Sequence, residues 1–511
     1  MPNHSKNSHI FKAALIVIIF SIFTRGISFA FKIYFSRVLG AESIGLYQIC
    51  LSVFYLFASF TSGGLVTVLS RRVAENRALN PQDKGLSILT SSLLVGILSS
   101  ALLLLLLFLL REHIDFLFSD VRAKPLFLIM APALITTSVY GIIRGWFWGN
   151  KDFLTFSITE LLEEVFRVIF SILFVSGIVS GIYGERGIAL AFVLSDIMVA
   201  FILVIMFLFK EGKLKKPTKF GTLLKPAIPL TGMRIFGGLL GTLIAILLPL
   251  RLIAGGFSVS QATASFGRVA GMANPLLFAP NAIIGSLAIV LIPEMSASGI
   301  KNNNPTLAKH IESGISLSLI ISGFFLIMFA TFGEDLTLFL FNDRPSGEYL
   351  RVASWLLLIT PIQLITSSAL SSIGLETESF KSYFISSLFM IASIYFIAPI
   401  IGFYSVVIAN FLSILVNSSI NLYYLNKRIG LPFSFLKLLA FLTISSSLCI
   451  FLGKTMRSIL YQTSPALALI ISVIMVLIIY VVTLLLSDLI KFEWFLKFKS
   501  IFKSSTHQNR T

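Results

Sequence analysis

Between Thr159 and Arg167 the chain reads Thr-Glu-Leu-Leu-Glu-Glu-Val-Phe-Arg. Three carboxylates and a guanidinium fall within little more than two helical turns. Glu160, Glu163 or Glu164, and Arg167 recur at i, i+3/i+4 and i+7, a spacing that puts them on one face of a helix. The stretch lies inside an apolar run from about Phe153 to Ile178, long enough to cross a bilayer. A charge at mid-bilayer costs about 2.5–3.5 kcal/mol on insertion scales. Four of them must pair with each other, lie near the membrane surface, or line a polar cavity. A Glu163–Arg167 pair at the helix start satisfies the first two conditions, and a transport cavity the third. Other charges also sit inside apolar runs. Arg25 lies about 21 Å along the first run at 1.5 Å per residue, with Lys32 two turns further on a similar face. Arg234 and Arg251 lie in a later run, Arg144 precedes Trp146 and Trp148, and Asp196 is a lone carboxylate. Cations at depth suit an anionic cargo, whereas a carboxylate at depth suits a proton or sodium ion. The alternatives are structural: an Arg25–Asp196 pair, Lys32 and Arg234 snorkelling to the surface, and the tryptophans anchoring a helix end at the interface.

The composition says what kind of element must position these groups. Of 511 residues 56% are hydrophobic and 12% charged. Repeated apolar runs of 18 residues or more define an all-α polytopic membrane protein. The runs do not alternate as β-barrel strands do. The net charge of +17 resides mostly in short loops and the C-terminal tail. There the positive-inside rule and anionic membrane lipids account for it, so no nucleic-acid partner is implied. Cys50 and Cys449 sit in apolar runs and read as core thiols. There is no Ser/His/Asp arrangement, no metal-ligand spacing and no Walker loop, so the chain does not read as an enzyme. No cofactor is expected beyond a coupling ion, H+ or Na+.

About fourteen transmembrane helices are predicted, at 11–39, 46–70, 85–110, 123–148, 153–178, 186–209, 223–250, 270–296, 309–332, 349–373, 381–401, 404–425, 433–453 and 465–488. Lys and Arg favour the side holding the termini by roughly two to one, which predicts both termini cytoplasmic in a multi-pass cell-membrane protein. The basic linker Lys210–Lys225 suggests a seam. It divides the chain into an N-terminal six-helix lobe (1–215), a second six-helix lobe (216–430), and two C-terminal helices with a basic tail (431–511). Helices 1 and 7 open alike, with an early Arg (Arg25, Arg234) and a late one (Arg37, Arg251), as in a parallel repeat. Pro226, Pro229 and Pro249 flank or interrupt helix 7, and Pro275 and Pro280 break helix 8.

Three stretches carry a family resemblance. The first is Arg144-Gly-Trp-Phe-Trp-Gly149 with Asn150, Phe153 and Glu163-Glu-Val-Phe-Arg167. The second runs from Ile228-Pro-Leu-Thr through Pro249-Leu-Arg-Leu252, Phe266-Gly-Arg-Val-Ala-Gly-Met272 and Asn274-Pro275 to Leu291-Ile-Pro-Glu294. The third is Ser36-Arg-Val-Leu-Gly40 with Gly45-Leu-Tyr-Gln48. Together they resemble the polysaccharide-export branch of the MOP flippase superfamily, the branch typified by stage V sporulation proteins, with relatives among lipid II flippases and MATE exporters. The chain departs from the sporulation-protein pattern near Ile244, where that pattern has an acidic residue, and after Pro249, where it has two adjacent basic residues and this chain has Leu250 and Arg251. The resemblance implies two lobes and alternating-access flipping of a polyprenyl-diphosphate-linked oligosaccharide, a lipid II-like precursor of bacterial cell wall or surface polysaccharide. A guanidinium matches the oxygens of such a diphosphate bidentately. Arg25, Lys32, Arg144, Arg234 and Arg251 are then the candidate cargo-binding residues, with Arg25 and Arg234 as a cradle. Glu160, Glu163, Glu164, Arg167 and Asp196 are the candidate coupling or cavity charges. The competing function is an ion-coupled multidrug or cation exporter of the MATE type, kept in view by the glutamates. The expected partners are a lipid-linked saccharide and membrane lipids.

Overall fold

A computed structural model describes residues 3–80, 82–175, 184–211, 213–218, 220–301, 303–460 and 465–486. The basic tail with Lys491, Lys497, Lys499, Lys503 and Arg510 lies outside the described residues, as do Lys219 and residues 461–464. Among the described residues all regular structure is helical. By packing, the chain divides into two units: Met1–Met272 with Ile394–Phe403, and Ala273–Ser393 with Tyr404–Thr511.

The first unit holds α1 (Asn3–Ser62), α2 (Leu65–Leu79), α3 (Leu86–Leu109), α4 (Ala123–Met130), α5 (Ala133–Gly149), α6 (Phe153–Val175), α7 (Gly184–Glu211), α8 (Gly221–Ala254) and α9 (Val259–Phe266). The predicted gap between the first two spans is a single residue. Gly40, at φ 78° and ψ 179°, breaks α1 into two helical halves, a conformation that needs no Cβ. The predicted second span ends early, at Ser62, and Leu65 opens a separate helix. Pro226, Pro229 and Pro249 do not interrupt α8, which runs through all three. In hydrocarbon the bonds a proline removes can be made up by neighbouring helices and side chains, so the helix need not stop. Pro275 and Pro280 do lie in a broken region. A π-helical stretch, Gly267–Ala273, separates α9 from the next helices. α9 itself opens with a capping box between Ser258 and Gln261.

The second unit holds α10 (Asn274–Leu277), α11 (Pro280–Ile300), α12 (Asn304–Phe341), α13 (Arg344–Ala353), α14 (Thr360–Ser372), most of α15 (Glu376–Ile401), α16 (Ser405–Ile429), α17 (Phe435–Leu460) and α18 (Pro465–Leu486). Asn303 caps α12 by accepting from Thr306 N, and Pro305 opens its first turn.

Most of the fourteen predicted spans coincide with a helix, half of a broken helix or a bent pair; the second runs past Ser62 into a separate helix, and the eighth, 270–296, covers part of the π-helical stretch, α10 and most of α11. Among the described residues seven stretches are long and apolar enough to cross a membrane, or nine if the pairs bent by 47° and 44° each count once. Two of the seven, Ile19–Ser62 and Glu376–Ile429, have 44 and 54 residues. At 1.5 Å per residue each is about twice the thickness of a hydrocarbon core, long enough for two crossings. α6 has the length of a span but carries the four charges that open the sequence reading. On α3, Leu98, Leu102 and Leu105 are 67%, 67% and 55% exposed, an apolar outer stripe suited to lipid.

Packing in the first unit relies on small residues. α2, α3, α5, α7 and the start of α8 enclose a core that includes Val68, Leu69, Trp146, Phe147 and Phe207. Gly145 and Gly149 let α5 approach α2: a Cβ at Gly149 would lie 2.6 Å from Ser70 O. Lipid tails are as apolar as the helices, so close van der Waals contact of this kind drives association in place of the hydrophobic effect.

Candidate functional site

A cavity of about 600 Å³ opens within the first unit. Its walls come from α1 (Tyr55 to Ser62), Gly63 just after it, α2 (Val66 to Ser70), α5 (Thr137 to Trp148), Phe156 of α6 and Arg234 of α8. Among the described residues the charged side chains lining it are two, Arg144 and Arg234. Arg144 is held firmly. It donates to Glu160 Oε2 at 2.5 Å and to the Phe156 carbonyl at 3.2 Å. Its guanidinium lies 3.8 Å from the centre of the Phe156 ring. Those two hydrogen bonds occupy two of its five N–H groups. Arg234 donates to Thr67 Oγ1 at 3.2 Å and has no carboxylate partner among the described residues. Hydroxyls from Tyr55, Ser59, Ser62, Thr67, Ser70, Thr137 and Tyr140 line the rest. Trp148, 41% exposed, stands 4.5 Å centre to centre from Phe156. The arrangement offers two guanidiniums, a hydroxyl-rich wall and an aromatic platform.

Behind this wall lies a second polar layer. Arg167 is clamped on both sides, to Glu163 Oε1 at 2.6 Å and to Glu164 Oε1 at 2.9 Å, and its guanidinium rests 5.3 Å from the Phe192 ring centre. The expected Glu163–Arg167 pair is therefore a triad, because i+3 and i+4 partners reach one guanidinium from the same side of the helix. Lys32, half-buried on α1, lies within electrostatic reach of Glu164. Asp196 is 2% exposed and accepts from Thr136 Oγ1 and Thr137 Oγ1, each at 2.7 Å. Thr137 also lines the cavity, so a single hydroxyl joins the buried carboxylate to the cavity wall.

Of the cations singled out from sequence, the cavity brings together Arg144 and Arg234. Arg25 is exposed on α1 and is not part of its lining. Arg251 is engaged elsewhere: it donates to the Tyr395 carbonyl at 2.8 Å and lies 4.2 Å from that ring's centre. Asp196 is held by threonines and forms no ion pair with Arg25. The four charges of α6 serve two places, Glu160 reaching Arg144 on α5 while the other three pair among themselves. Trp146 is no interfacial anchor. It is 1% exposed and its indole donates to the Lys84 carbonyl at 2.7 Å.

Sequence reading missed two sets of residues. The hydroxyls of the cavity have no spacing signal, since serine and threonine are common in membrane helices. A polar knot around the segment between α3 and α4 was also missed. Arg122 pairs with Asp120 Oδ2 at 2.7 Å and Glu42 Oε1 at 2.6 Å, and Thr263 Oγ1 of α9 donates to Asp120 Oδ2 at 2.9 Å. Burial alone would raise the Asp120 carboxyl, but hydrogen bonds from Arg122 and Thr263 outweigh it and hold the group below its ordinary value of 3.8. Beside this knot Gly45 and Gly267 bring α1 and α9 into backbone contact.

The sequence profile of the family described as polysaccharide biosynthesis protein matches residues 10–298 of the 511. The chain belongs to that family. The matched region contains every candidate site residue named above. Stage V sporulation protein B of Bacillus subtilis (strain 168) is 24% identical over 400 residues, 76% of this chain and 77% of that protein. Among solved structures, the lipid II flippase MurJ in its inward closed conformation is similar with a TM-score of 0.70 at 15% identity, over 93% of this chain and 100% of that one. An inward-facing multidrug resistance MATE family transporter of the MOP superfamily is similar with a TM-score of 0.67 at 16% identity, over 82% and 98% of the two chains. At these identities the two likenesses establish the fold alone, a multi-pass helical membrane architecture.

Proposed function

We propose that this protein flips a polyprenyl-diphosphate-linked oligosaccharide, a precursor of bacterial cell-wall or surface polysaccharide, across the cell membrane by alternating access. The observation that carries the reading is the sign of the cavity: both charged side chains lining it are arginines. A diphosphate is the part of such a cargo that cannot cross hydrocarbon unaided, and guanidinium replaces its hydration with forked hydrogen bonds. The hydroxyl wall and the Trp148–Phe156 platform suit the saccharide, whose hydroxyls need partners and whose ring faces stack on aromatics. Membership of the polysaccharide biosynthesis protein family supports the same class of cargo. A cationic drug, the cargo of the alternative reading, would meet Arg234, which has no carboxylate partner among the described residues.

The chain works as a transporter and not as an enzyme. Its termini are cytoplasmic, and the seam near residue 215 marks a repeat of two six-helix lobes. Asp196 is the site at which H+ or Na+ couples to transport, reaching the cavity through Thr137. Arg25 and Lys32 extend the cationic path along α1. The test is depletion of the protein in its bacterial host, followed by measurement of lipid-linked saccharide on each leaflet. Accumulation on the inner leaflet is expected, and an unchanged distribution overturns the reading. Complementation with Arg234→Gln should fail while the variant remains in the membrane at normal levels.

A further inference from the structure

We propose that Glu160 is a resident stand-in for the cargo's diphosphate, occupying Arg144 when the cavity is empty and giving it up when cargo binds. This rests on the reading above that the cavity receives an anionic head group. Arg144 lines the cavity, whereas Glu160, the residue that neutralises it, does not. The carboxylate reaches the guanidinium from outside the lining, at 2.5 Å. A diphosphate entering from the cavity meets a cation already engaged on another side. The two guanidiniums also differ in this respect. Among the described residues Arg234 has only a neutral hydroxyl as partner, from Thr67, so it is the first contact for an anion and Arg144 is the second.

The exchange is physically open to Glu160. Its side chain is 38% exposed, so it has room to swing away from Arg144 once it is released. Glu163 and Glu164 of the same helix cannot change places in this way. Their side chains are 20% and 15% exposed and both are committed to Arg167. Arg144 is kept in place during the exchange by contacts that do not involve Glu160, the Phe156 carbonyl at 3.2 Å and the Phe156 ring. The stand-in has a use. A bare guanidinium in a hydroxyl-lined cavity would hold any passing phosphate. With Glu160 in competition, only an anion that engages Arg234 and Arg144 together displaces it. Glu160 is thus a specificity-determining residue that penalises ligands bearing a single phosphate. It also links occupancy of the cavity to the α5–α6 tie that the Arg144–Glu160 bond makes.

The experiment measures binding of farnesyl diphosphate and farnesyl monophosphate to the purified full chain in detergent, comparing wild type with Glu160→Gln, Glu160→Asp, Arg144→Gln and Arg234→Gln. An occupied competitor lowers apparent affinity by the fraction of protein in which Arg144 is free. Freeing Arg144 from a partly exposed pair should tighten diphosphate binding about fivefold, and should tighten monophosphate binding at least as much. Glu160→Asp keeps the charge but is one methylene too short for the contact, and should move affinity in the same direction. If folded Glu160 variants bind no more tightly than wild type while Arg144→Gln and Arg234→Gln bind more weakly, the stand-in is refuted and the cavity reading survives. If neither arginine variant weakens binding, the cavity reading itself falls. If both Glu160 variants fail to yield folded protein, Glu160 is a structural brace and the proposal is overturned.

Discussion

Arg167 shows how charge is carried inside an apolar helix. With its side chain 12% exposed and two carboxylates within 2.9 Å, it is a buried cation whose partners both depend on it. Removing the guanidinium leaves both carboxylates uncompensated, and breaking a buried pair in this way costs about 3–5 kcal/mol. Arg167→Leu strands two carboxylates, whereas Glu163→Gln or Glu164→Gln leaves the arginine one partner. Thermal unfolding in detergent should therefore rank Arg167→Leu well below either glutamine variant. Reversing both charges, Glu163→Arg with Arg167→Glu, should recover part of what each single reversal loses, since contacting residues are not additive. Equal losses in all variants, with no recovery, would remove the triad from the account of stability. The spacing of these residues was legible in the sequence because i+3 and i+4 neighbours meet on any helix. That Glu160 turns away to Arg144 was not legible, because that contact depends on how α5 and α6 pack.

At the scale of elements, the contact between α1 and α9 is the most sensitive. A Cβ on Gly45 would lie 2.0 Å from Thr263 O, and one on Gly267 would lie 2.0 Å from Ala41 O. Neither neighbour is a side chain that can move aside, since both are backbone. Gly45→Ala and Gly267→Ala should each lower the yield of monodisperse protein severely. Gly40→Ala meets no neighbour within 4 Å and suffers only from its backbone angle. Its cost should be about 1–3 kcal/mol, since φ 78° with ψ 179° falls in a region that only glycine enters readily. The polar knot beside this contact carries a pH dependence. The folded Asp120 carboxyl sits below its ordinary 3.8, so it stabilises the fold above that value. The contribution is lost as pH falls from 3.8 through the folded value. The melting-temperature gap between wild type and Asp120→Asn should be full near neutral pH and shrink once pH drops below 3.8. A gap that persists into that acid range would show that the carboxylate is not what holds Thr263.

At the scale of the whole molecule, the distribution of Lys and Arg predicts which loops share a side of the membrane. Both native cysteines, Cys50 and Cys449, are buried and free, so they give little background to a thiol reagent. Single cysteines at Lys213→Cys and Thr455→Cys should react with a membrane-impermeant reagent from opposite sides, Lys213→Cys from the cytoplasm. Labelling of both from one side would refute the fourteen-span arrangement with cytoplasmic termini.

Hydrophobic content and run length were enough to determine that the chain is helical and spans a membrane many times, because in hydrocarbon every backbone polar group must be bonded within its own segment. That constraint is local, so it is written along the chain. The same holds for the helix-face spacing of Glu163, Glu164 and Arg167, and for the break at Gly40. What lines the cavity was decided only by tertiary structure. Arg144 and Arg234 are ninety positions apart in sequence and line one cavity because α2 and α5 pack through glycines and α8 lies beside α2. Arg25 and Arg251 have similar sequence surroundings and lie outside the lining, since depth along a helix does not specify the direction in which its side chains point. Packing chooses that direction, through contacts between residues far apart in the chain.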